Sequence, residues 1–294
     1  MMNDKEKKEK RYLTTAIFGA LFFSVTILLG VAVFADTGGD MLEIDFFDVG
    51  QGDAILIQTP SRHTILIDGG RDNTVSKKIA EELALYERTI DLIILTHPDL
   101  DHVGGLPDVL RRYRVGAIIL PRVQKDLPAY QKLLERAEKE HIPIQNAVAG
   151  DVLRLGMGFE MAFFAPTPGL LESEDLNNSS IVVKLTYNKR SVLFTGDAEE
   201  ESERVMMARN AELSADILKI GHHGSRSSSS SAFLEAVDAF AGIVSAGKDN
   251  TYGHPHPDVL ERMAHQGISA YRTDRQGDIE VISDGEFITI TTEK

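Results

Sequence analysis

The sequence of 294 residues contains no cysteine. Disulfide bonds, thiolate zinc sites and cysteine nucleophiles are therefore excluded, and any bound metal must be held by histidine and carboxylate side chains. The chain also has little positive charge, since 31 Lys and Arg stand against 45 Asp and Glu, a net charge of -14. Such an acidic chain attracts nucleic acid poorly over long distances, although it does not exclude a phosphodiester substrate in a locally basic groove.

One long uncharged segment, residues 12–35, follows a basic tail, residues 1–11, in which five residues are Lys or Arg. Roughly 20 apolar residues at ~1.5 Å each span a bilayer core of about 30 Å. Because the basic flank lies on one side only, the tail is predicted to be cytoplasmic and the main domain to lie outside the cytoplasmic membrane. A single-pass anchor and a cleaved signal peptide, which would give a secreted protein, both fit, since residues 33–35 (VFA) are similar to a cleavage site.

Residues 36–40 are predicted to be a short linker, and residues 41–294 a single α/β domain. Hairpin-linked strands come first, and strands then alternate with amphipathic helical patterns, an order typical of a layered fold with mixed sheets. The predicted strands are 42–48, 54–59, 64–68, 92–96, 117–120, 159–165, 181–187, 191–195, 217–220, 242–245, 279–283 and 287–291. The predicted helices are 74–86, 106–113, 129–141, 199–209, 232–237 and 257–266.

The strongest chemical signal lies directly after the apolar residues 93–96. The six residues HPDLDH contain four side chains able to bind metal, His97, Asp99, Asp101 and His102. Pro98 and the glycines that follow predict a tight loop rather than a helix. Such a loop can aim the first two ligands at one point and the last two at a neighbouring point, where two cations could activate water and stabilise a leaving oxygen.

This loop is similar to the His-x-His-x-Asp-His signature of the metallo-β-lactamase superfamily, with Asp99 where the second His usually stands. The variant resembles the hydrolase domain of ComEC-type competence (DNA-uptake) proteins and their stand-alone relatives. Six further motifs match in order, namely FDVGQGDA (47–54), LIDGG (66–70), NNSS (177–180), FTGD (194–197), KIGHHGS (219–225) and YGHPHP (252–257). The resemblance implies an αββα sandwich, two mixed sheets flanked by helices, with metals at one edge.

The resemblance also implies two divalent metal ions bridged by Asp197. The expected ligands are His97, Asp99 and Asp197 for one ion, and Asp101, His102, Asp197 and one of the adjacent His222 and His223 for the other. His222 is the favoured ligand of that pair, and His223 then supports the site or faces the substrate. Asp68 is expected to hold a loop histidine by a hydrogen bond, as carboxylates behind metal ligands commonly do. A helix-capping role is the alternative for Asp197.

The sequence departs from the wider superfamily in the middle of the chain. Asn177, Asn178 and Ser180 stand where a further histidine ligand is usual. Together with Asp99, this change makes the site rich in oxygen donors, so Mn²⁺ competes with Zn²⁺ as the expected metal. Single-metal occupancy also stays open.

The substrate side of the site is expected to include Lys219, Lys248, His254 and His256. Prolines stiffen the segment that carries the two histidines, so their rings would lose little entropy on binding. His256 could hydrogen-bond a phosphate oxygen or protonate a leaving group. A plain helix-entry loop, with Pro257 in the first turn, is the alternative.

The resemblance implies a metal-dependent hydrolase of a phosphodiester, and an extracytoplasmic nuclease acting on DNA is the specific expectation. Asp101 is expected to orient the nucleophile, while His256 or Lys219 stabilises developing charge. Hydrolysis of another ester or amide, such as a phosphorylated or wall-linked substrate, is the alternative, because this fold hosts many reactions. A membrane-anchored binding module without catalysis is the third hypothesis.

Overall fold

The structure is a computed structural model that describes residues 41–84, 86–209 and 211–294. The predicted basic tail (1–11), anchor or signal segment (12–35) and linker (36–40) lie outside these residues. Within the described ranges, no helix combines the length and apolar character needed to cross a membrane.

The first sheet has eight strands, which pair partly antiparallel and partly parallel. They are β1 (Leu42–Phe46), β2 (Ile55–Gln58), β3 (Thr64–Ile67), β4 (Thr89–Ile94), β5 (Arg114–Leu120), β6 (Ile144–Asn146), β14 (Ile279–Ser283) and β15 (Ile288–Thr292). Their order across the sheet is β15-β14-β1-β2-β3-β4-β5-β6. Strands from β15 to β3 pair antiparallel, and those from β3 to β6 pair parallel.

The second sheet has seven strands and the same mixed character. They are β7 (Val152–Gly156), β8 (Phe159–Ala165), β9 (Val182–Tyr187), β10 (Arg190–Phe194), β11 (Ile217–Lys219), β12 (Ala241–Val244) and β13 (Ser269–Arg272). The order is β13-β12-β11-β10-β9-β8-β7. Strands β7 to β10 pair antiparallel, whereas β10 to β13 pair parallel.

Helices cover the outer faces of both sheets. They are α1 (Thr74–Glu82), α2 (Leu100–Val103), α3 (Leu106–Arg112), α4 (Pro128–Lys139), α5 (Glu200–Ala208), α6 (Ser231–Val237), α7 (Pro257–His265) and α8 (Thr273–Gln276). One apolar cluster fills the space between the sheets, and Phe46 stacks there on Phe194. A second cluster joins the first sheet to α1, α3 and α4, and a third joins the second sheet to α5, α6 and α7. The expected αββα arrangement of two mixed sheets and helices is confirmed.

The parallel strands position the chemically interesting residues. Parallel neighbours present their carboxyl ends at one edge of a sheet, and ligands bind outside those ends in open α/β folds. Asp68 follows β3, and His97 follows β4 after a short connection. In the second sheet, Asp197 follows β10 and His222 follows β11. The motifs that are far apart in sequence therefore meet at one edge of the sandwich.

Some local predictions were wrong. The segment HPDLDH was expected to be a loop only, but residues Leu100–Val103 form one helical turn, α2. The carbonyl oxygen of Asp99 accepts hydrogen bonds from the backbone N–H groups of His102 and Val103, and Gly104 caps the end of the turn with a right-handed helical backbone. Strands β6, β7 and β13 were missed because they are short and mostly exposed, so they lack the apolar runs used to find strands.

Candidate metal centre

Asp68 organises the loop that follows β4. Its Oδ1 accepts from the backbone N–H of Thr96 at 2.7 Å, and its Oδ2 accepts from the Thr96 hydroxyl at 2.6 Å. The same Oδ2 lies 2.8 Å from Nδ1 of His102. All three residues are fully buried. Because Nδ1 of His102 donates to the carboxylate, Nε2 of that ring is left as a lone-pair donor directed away from Asp68.

Asp197 lies at the centre of the site. Gly196 precedes it with φ of +52°, and a Cβ at that position would lie 2.8 Å from Cβ of Thr96, so the close approach of the two loops requires glycine. Ser180 Oγ accepts a hydrogen bond from the Asp197 backbone N–H at 3.3 Å. Glu199, rather than Asp197, occupies the N-cap position of α5. The Asp197 carboxylate is therefore free of a capping bond.

Four histidines surround the Asp197 carboxylate. Oδ1 lies 3.3 Å from Nε2 of His102, and Oδ2 lies 3.4 Å from Nε2 of His223. Nε2 of His97 and Nε2 of His222 each lie 3.8 Å from Oδ2. Ligands about 2.1 Å from a tetrahedral metal ion lie about 3.4 Å from one another, so these separations suit metal coordination.

The donor atoms form two groups that share Asp197. In one group, Nε2 of His223 lies 3.5 Å from Oδ2 of Asp101, beside His102. In the other, Nε2 of His97 lies 4.0 Å from Oδ1 of Asp99. The buried residues Asp53, His102, Asp197 and His223 also offer donor atoms within 4.8 Å of one another.

Several of these donor atoms are buried and have no hydrogen-bond partner among the described residues. They are Nε2 of His97, His102 and His223 and Oδ1 of Asp197. A buried polar atom without a partner costs about 1–3 kcal/mol, so native proteins rarely keep several together without a ligand. These residues therefore fit a divalent cation.

The electrostatics of the group favour positive charge. Burial alone would lower the pKa of His102, but the carboxylates of Asp197 and Asp68 outweigh it and raise that pKa well above the ordinary value. Burial likewise opposes the raised pKa of His223, which Asp197 and Asp101 cause. Burial would raise the pKa of Asp197, yet the adjacent His223 and His102 hold it well below its usual range. A cation among these groups would satisfy the same carboxylates.

The adjacent histidines His222 and His223 face different parts of the site. Both have a left-handed backbone, with φ of 46° and 53°, which is costly for residues other than glycine and directs the two rings apart. Nδ1 of His223 donates to the Ser245 carbonyl at 2.9 Å, and Nδ1 of His222 donates to Oε1 of Glu199 at 2.8 Å. The sequence favoured His222 as the ligand beside Asp101, whereas the structure places His223 there. The partly exposed His222 lies 3.8 Å from Oδ2 of the buried Asp197.

Lys219 was expected to face the substrate, but the structure places it underneath the site. The side chain is fully buried, and its Nζ lies 2.8 Å from Oδ2 of Asp53 and donates to the Ile220 carbonyl at 3.0 Å. Burial would raise the pKa of Asp53, but Lys219 and His223 lower it to about 2. Asp53 was not among the predicted site residues, although it is the last acidic residue of the FDVGQGDA motif.

Asn178 and Ser180 are buried and support other residues. Oδ1 of Asn178 accepts from the backbone N–H of Ser202 at 3.1 Å, which holds the start of α5. Nδ2 of the neighbouring Asn177 lies 3.4 Å from Nδ1 of His222.

Lys125, which was not among the predicted site residues, forms an ion pair with Asp99. It lies in a loop before α4 that has no recognisable motif.

The segment YGHPHP (252–257) places the His254 ring beside the site histidines and the His256 ring beside Arg226 at the edge of the site. The ring of His254 lies 5.4 Å from that of His222 and 6.5 Å from that of His223. Burial and the adjacent imidazoles lower the pKa of His254 to about 4. His256 precedes α7, where Arg226 donates to its Nε2 at 2.7 Å. Lys248 is exposed in the loop after β12.

A profile of the metallo-beta-lactamase superfamily matches residues 47–248. The chain therefore belongs to the metallo-beta-lactamase superfamily, in agreement with the motifs. Together with this membership, the candidate metal group supports a metal-dependent hydrolase.

Three of the curated relatives are competence proteins of the ComEC type. The chain is 32% identical to ComE operon protein 3 of Bacillus subtilis (strain 168), over 92% of this chain and 37% of that protein. It is 27% identical to Recombination protein 2 of Haemophilus influenzae, over 94% and 32% of the two chains, and 28% identical to Competence protein ComA of Neisseria gonorrhoeae, over 81% and 32%. The chain thus spans about a third of the length of these relatives.

Solved structures of low sequence identity share the fold. The metallo-beta-lactamase fold protein YhfI from Bacillus subtilis superposes with a TM-score of 0.54 at 14% identity, over 85% of this chain and all of that one. CmlA, a diiron beta-hydroxylase from Streptomyces venezuelae, gives a TM-score of 0.54 at 16% identity, over 80% and 53%. At such identities the likeness supports the fold alone.

Proposed function

We propose that this protein is a metal-dependent phosphodiesterase that cleaves DNA. The observation that carries the proposal is the group of buried, unpartnered donor atoms of His97, His102, His223 and Asp197 at one edge of the sandwich. The substrate class is supported by two relatives, which are named Recombination protein 2 and Competence protein ComA, because DNA is handled in both processes.

Two sets of residues would hold the cations, and both include Asp197. One set is His97, Asp99, Asp197 and His222, and the other is Asp101, His102, Asp197 and His223. A bound divalent metal supplies an activated water and neutralises charge on phosphoryl oxygens. The balance of carboxylate and imidazole donors suits both Mn²⁺ and Zn²⁺.

The residues behind these ligands fix which nitrogen of each ring faces the site. Asp68 holds Nδ1 of His102, Glu199 holds Nδ1 of His222, and the Ser245 carbonyl holds Nδ1 of His223. Each ring therefore presents Nε2 inward without reorganisation. Such preorganisation is what lets a site stabilise charge that develops during reaction.

The rim provides positive charge to an otherwise acidic protein. Lys125 forms an ion pair with Asp99, and Arg226 forms one with Asp258 while it also donates to His256. The N–H groups of these two side chains that are not used in the ion pairs would donate hydrogen bonds to phosphate oxygens of a bound substrate. Asp101, whose side chain is 23% exposed, would accept a proton or a hydrogen bond from an attacking water.

The test is metal-dependent hydrolysis by the full chain. The purified protein is stripped with a chelator, reloaded with Mn²⁺ or Zn²⁺, and assayed on bis(p-nitrophenyl) phosphate and on labelled single-stranded DNA, beside Asp101→Asn. We expect cleavage of both substrates to depend on metal and to fall at least about 100-fold in the variant. Two bound metals without cleavage of either substrate would overturn the phosphodiesterase and direct the search to another ester or an amide.

We also propose that the catalytic domain lies outside the cytoplasmic membrane, on the basis of the basic residues 1–11 and the apolar residues 12–35. Because the chain contains no cysteine, one introduced cysteine supplies the only thiol that the reagent can label. Lys139→Cys, at the exposed end of α4, should react with a membrane-impermeant maleimide in intact cells. Labelling only after lysis would place the domain in the cytoplasm.

A further inference from the structure

An exposed aromatic ring lies beside the metal centre and takes no part in the proposed hydrolysis. Tyr252 is 61% exposed, and its ring stacks on that of His254 with centroids 5.7 Å apart and an interplanar angle of 25°. The His254 ring in turn meets the His222 ring edge-on at 5.4 Å. The second face of Tyr252 is thus open to solvent. Two ring contacts connect Tyr252 to His222, whose Nε2 lies 3.8 Å from Oδ2 of Asp197.

The loop that carries Tyr252 is held in place by one side chain. Nδ2 of Asn250 donates to the carbonyl oxygens of Gly247 at 2.8 Å and of His254 at 2.6 Å. Oδ1 of Asn250 accepts from the backbone N–H groups of Tyr252 at 3.2 Å and of His254 at 3.0 Å. These bonds fix the backbone that carries the ring, so less freedom is lost when a ligand stacks on Tyr252.

We propose that Tyr252 and His254 form a stacking platform for a nucleobase, and that the substrate is single-stranded nucleic acid. This inference rests on the proposed function, since it names the form of DNA bound at the same site. A flat aromatic face that is exposed at a catalytic edge is what single-strand binding proteins offer to successive bases.

Two arguments favour a single strand over a duplex. Bases in a duplex are stacked on one another, so a base can reach Tyr252 only after it has left the helix. The protein also has a net charge of -14, which weakens attraction to the dense phosphate charge of a duplex. Stacking contributes affinity that does not depend on opposite charge, and it therefore suits an acidic protein.

His254 adds a second observation that indicates a ligand. Its Nδ1 is buried and has no hydrogen-bond partner among the described residues. A base stacked on the outer face of Tyr252 would bring its sugar and phosphate toward the histidines.

The test compares binding of two oligonucleotides that share a backbone. The full chain is titrated, in a chelator that prevents cleavage, with a labelled dT decamer and with a decamer of abasic sugars, and binding is followed by fluorescence anisotropy. One stacked base should make the dT decamer bind about 5- to 150-fold more tightly than the abasic strand. The duplex of the dT decamer with its complement should bind more weakly than the single strand.

Variants of Tyr252 test whether its ring causes the preference for the dT decamer over the abasic decamer. Tyr252→Ala should abolish the preference for dT, whereas Tyr252→Phe, which keeps the ring, should retain it. Phe287→Ala is the matched control, because Phe287 is 73% exposed in the β14–β15 turn, which contacts the β9–β10 turn at the end of the sheets away from the metal centre. It should keep the preference. Thermal unfolding checks that each variant is folded.

The outcomes separate this inference from the proposed function. Equal binding of the dT and abasic decamers, or no binding of either up to the millimolar range, overturns the stacking platform even if DNA is cleaved. A preference for dT that depends on Tyr252, in a protein that cleaves no phosphodiester, would support the platform and overturn the phosphodiesterase.

Discussion

Lys219 and Asp53 form an ion pair in which both side chains are buried to 1% exposure or less, with 2.8 Å between Nζ and Oδ2. The pair joins the end of β11 to the loop after β1, and Oδ1 of the same Asp53 lies 3.3 Å from Nδ1 of His223. The buried ion pair therefore supports the metal centre through the contact of Asp53 with His223. Neither charge faces solvent, so each depends on the other.

Lys219→Met should destabilise the protein strongly, because it leaves the buried Asp53 carboxylate without its cation. Breaking a buried pair by removing one partner costs about 3–5 kcal/mol. We expect that loss in the free energy of unfolding, measured with urea. The exposed pair of Lys189 and Glu286 supplies the control, since Lys189→Met should change stability by less than about 1 kcal/mol. Equal effects in the two variants would contradict the structural role of Lys219.

Asp197→Ala should lose both bound metal ions, whereas His222→Ala should lose only one. Asp197 faces all four site histidines and belongs to both proposed ligand sets, whereas His222 belongs to one set only. Metal per chain after dialysis, measured by plasma mass spectrometry, distinguishes the two variants. The same stoichiometry in Asp197→Ala as in the unaltered protein would remove Asp197 from the bridging position.

Glu199→Ala should weaken metal binding, although Glu199 is not itself a proposed metal ligand. Glu199 accepts from Nδ1 of His222 at 2.8 Å, and removal of such an orienting carboxylate typically lowers metal affinity about 10- to 100-fold. Calorimetric titration with Mn²⁺ measures the change. Glu201→Ala is the control on the same helix, because Glu201 is exposed and bonds only Ser173 among the described residues. An equal loss in the control would show a general effect on α5.

Asp45→Asn should change how stability depends on pH. Burial, together with Glu82 and other acidic neighbours, raises the pKa of Asp45 from 3.8 to about 8. The folded state therefore holds this proton more tightly than the unfolded state, so the contribution of Asp45 to stability is full at low pH and is lost as pH rises from about 4 to 8. Asn cannot ionise, and the variant should gain melting temperature relative to the unaltered protein over that window.

The control for this experiment is Glu135→Gln, an exposed change on α4. Its melting temperature should follow that of the unaltered protein from pH 4 to pH 8. If Asp45→Asn also followed the unaltered protein, the carboxyl group of Asp45 would not be protonated in the folded state at neutral pH.

Much of the fold was accessible from the sequence because long buried strands and helices repeat their apolar residues regularly. Strands β3, β8 and β14 were found within a residue of their bounds. Edge strands such as β6 and β7 were missed, because their exposed positions need not be apolar. The helical turn α2 was missed because a proline and two glycines dominate the local pattern.

The sequence by itself determined the superfamily and the types of donor atom, since the motifs are short and each carries its side chains in a fixed local order. Only the tertiary structure decided how those motifs face one another. The left-handed backbone of His222 and His223 brings His223 rather than His222 to Asp101, and local sequence patterns do not encode that direction. The tertiary structure also decided the position of Lys219. Its strand, β11, packs against the distant loop that carries Asp53, and this packing excludes water from both charges.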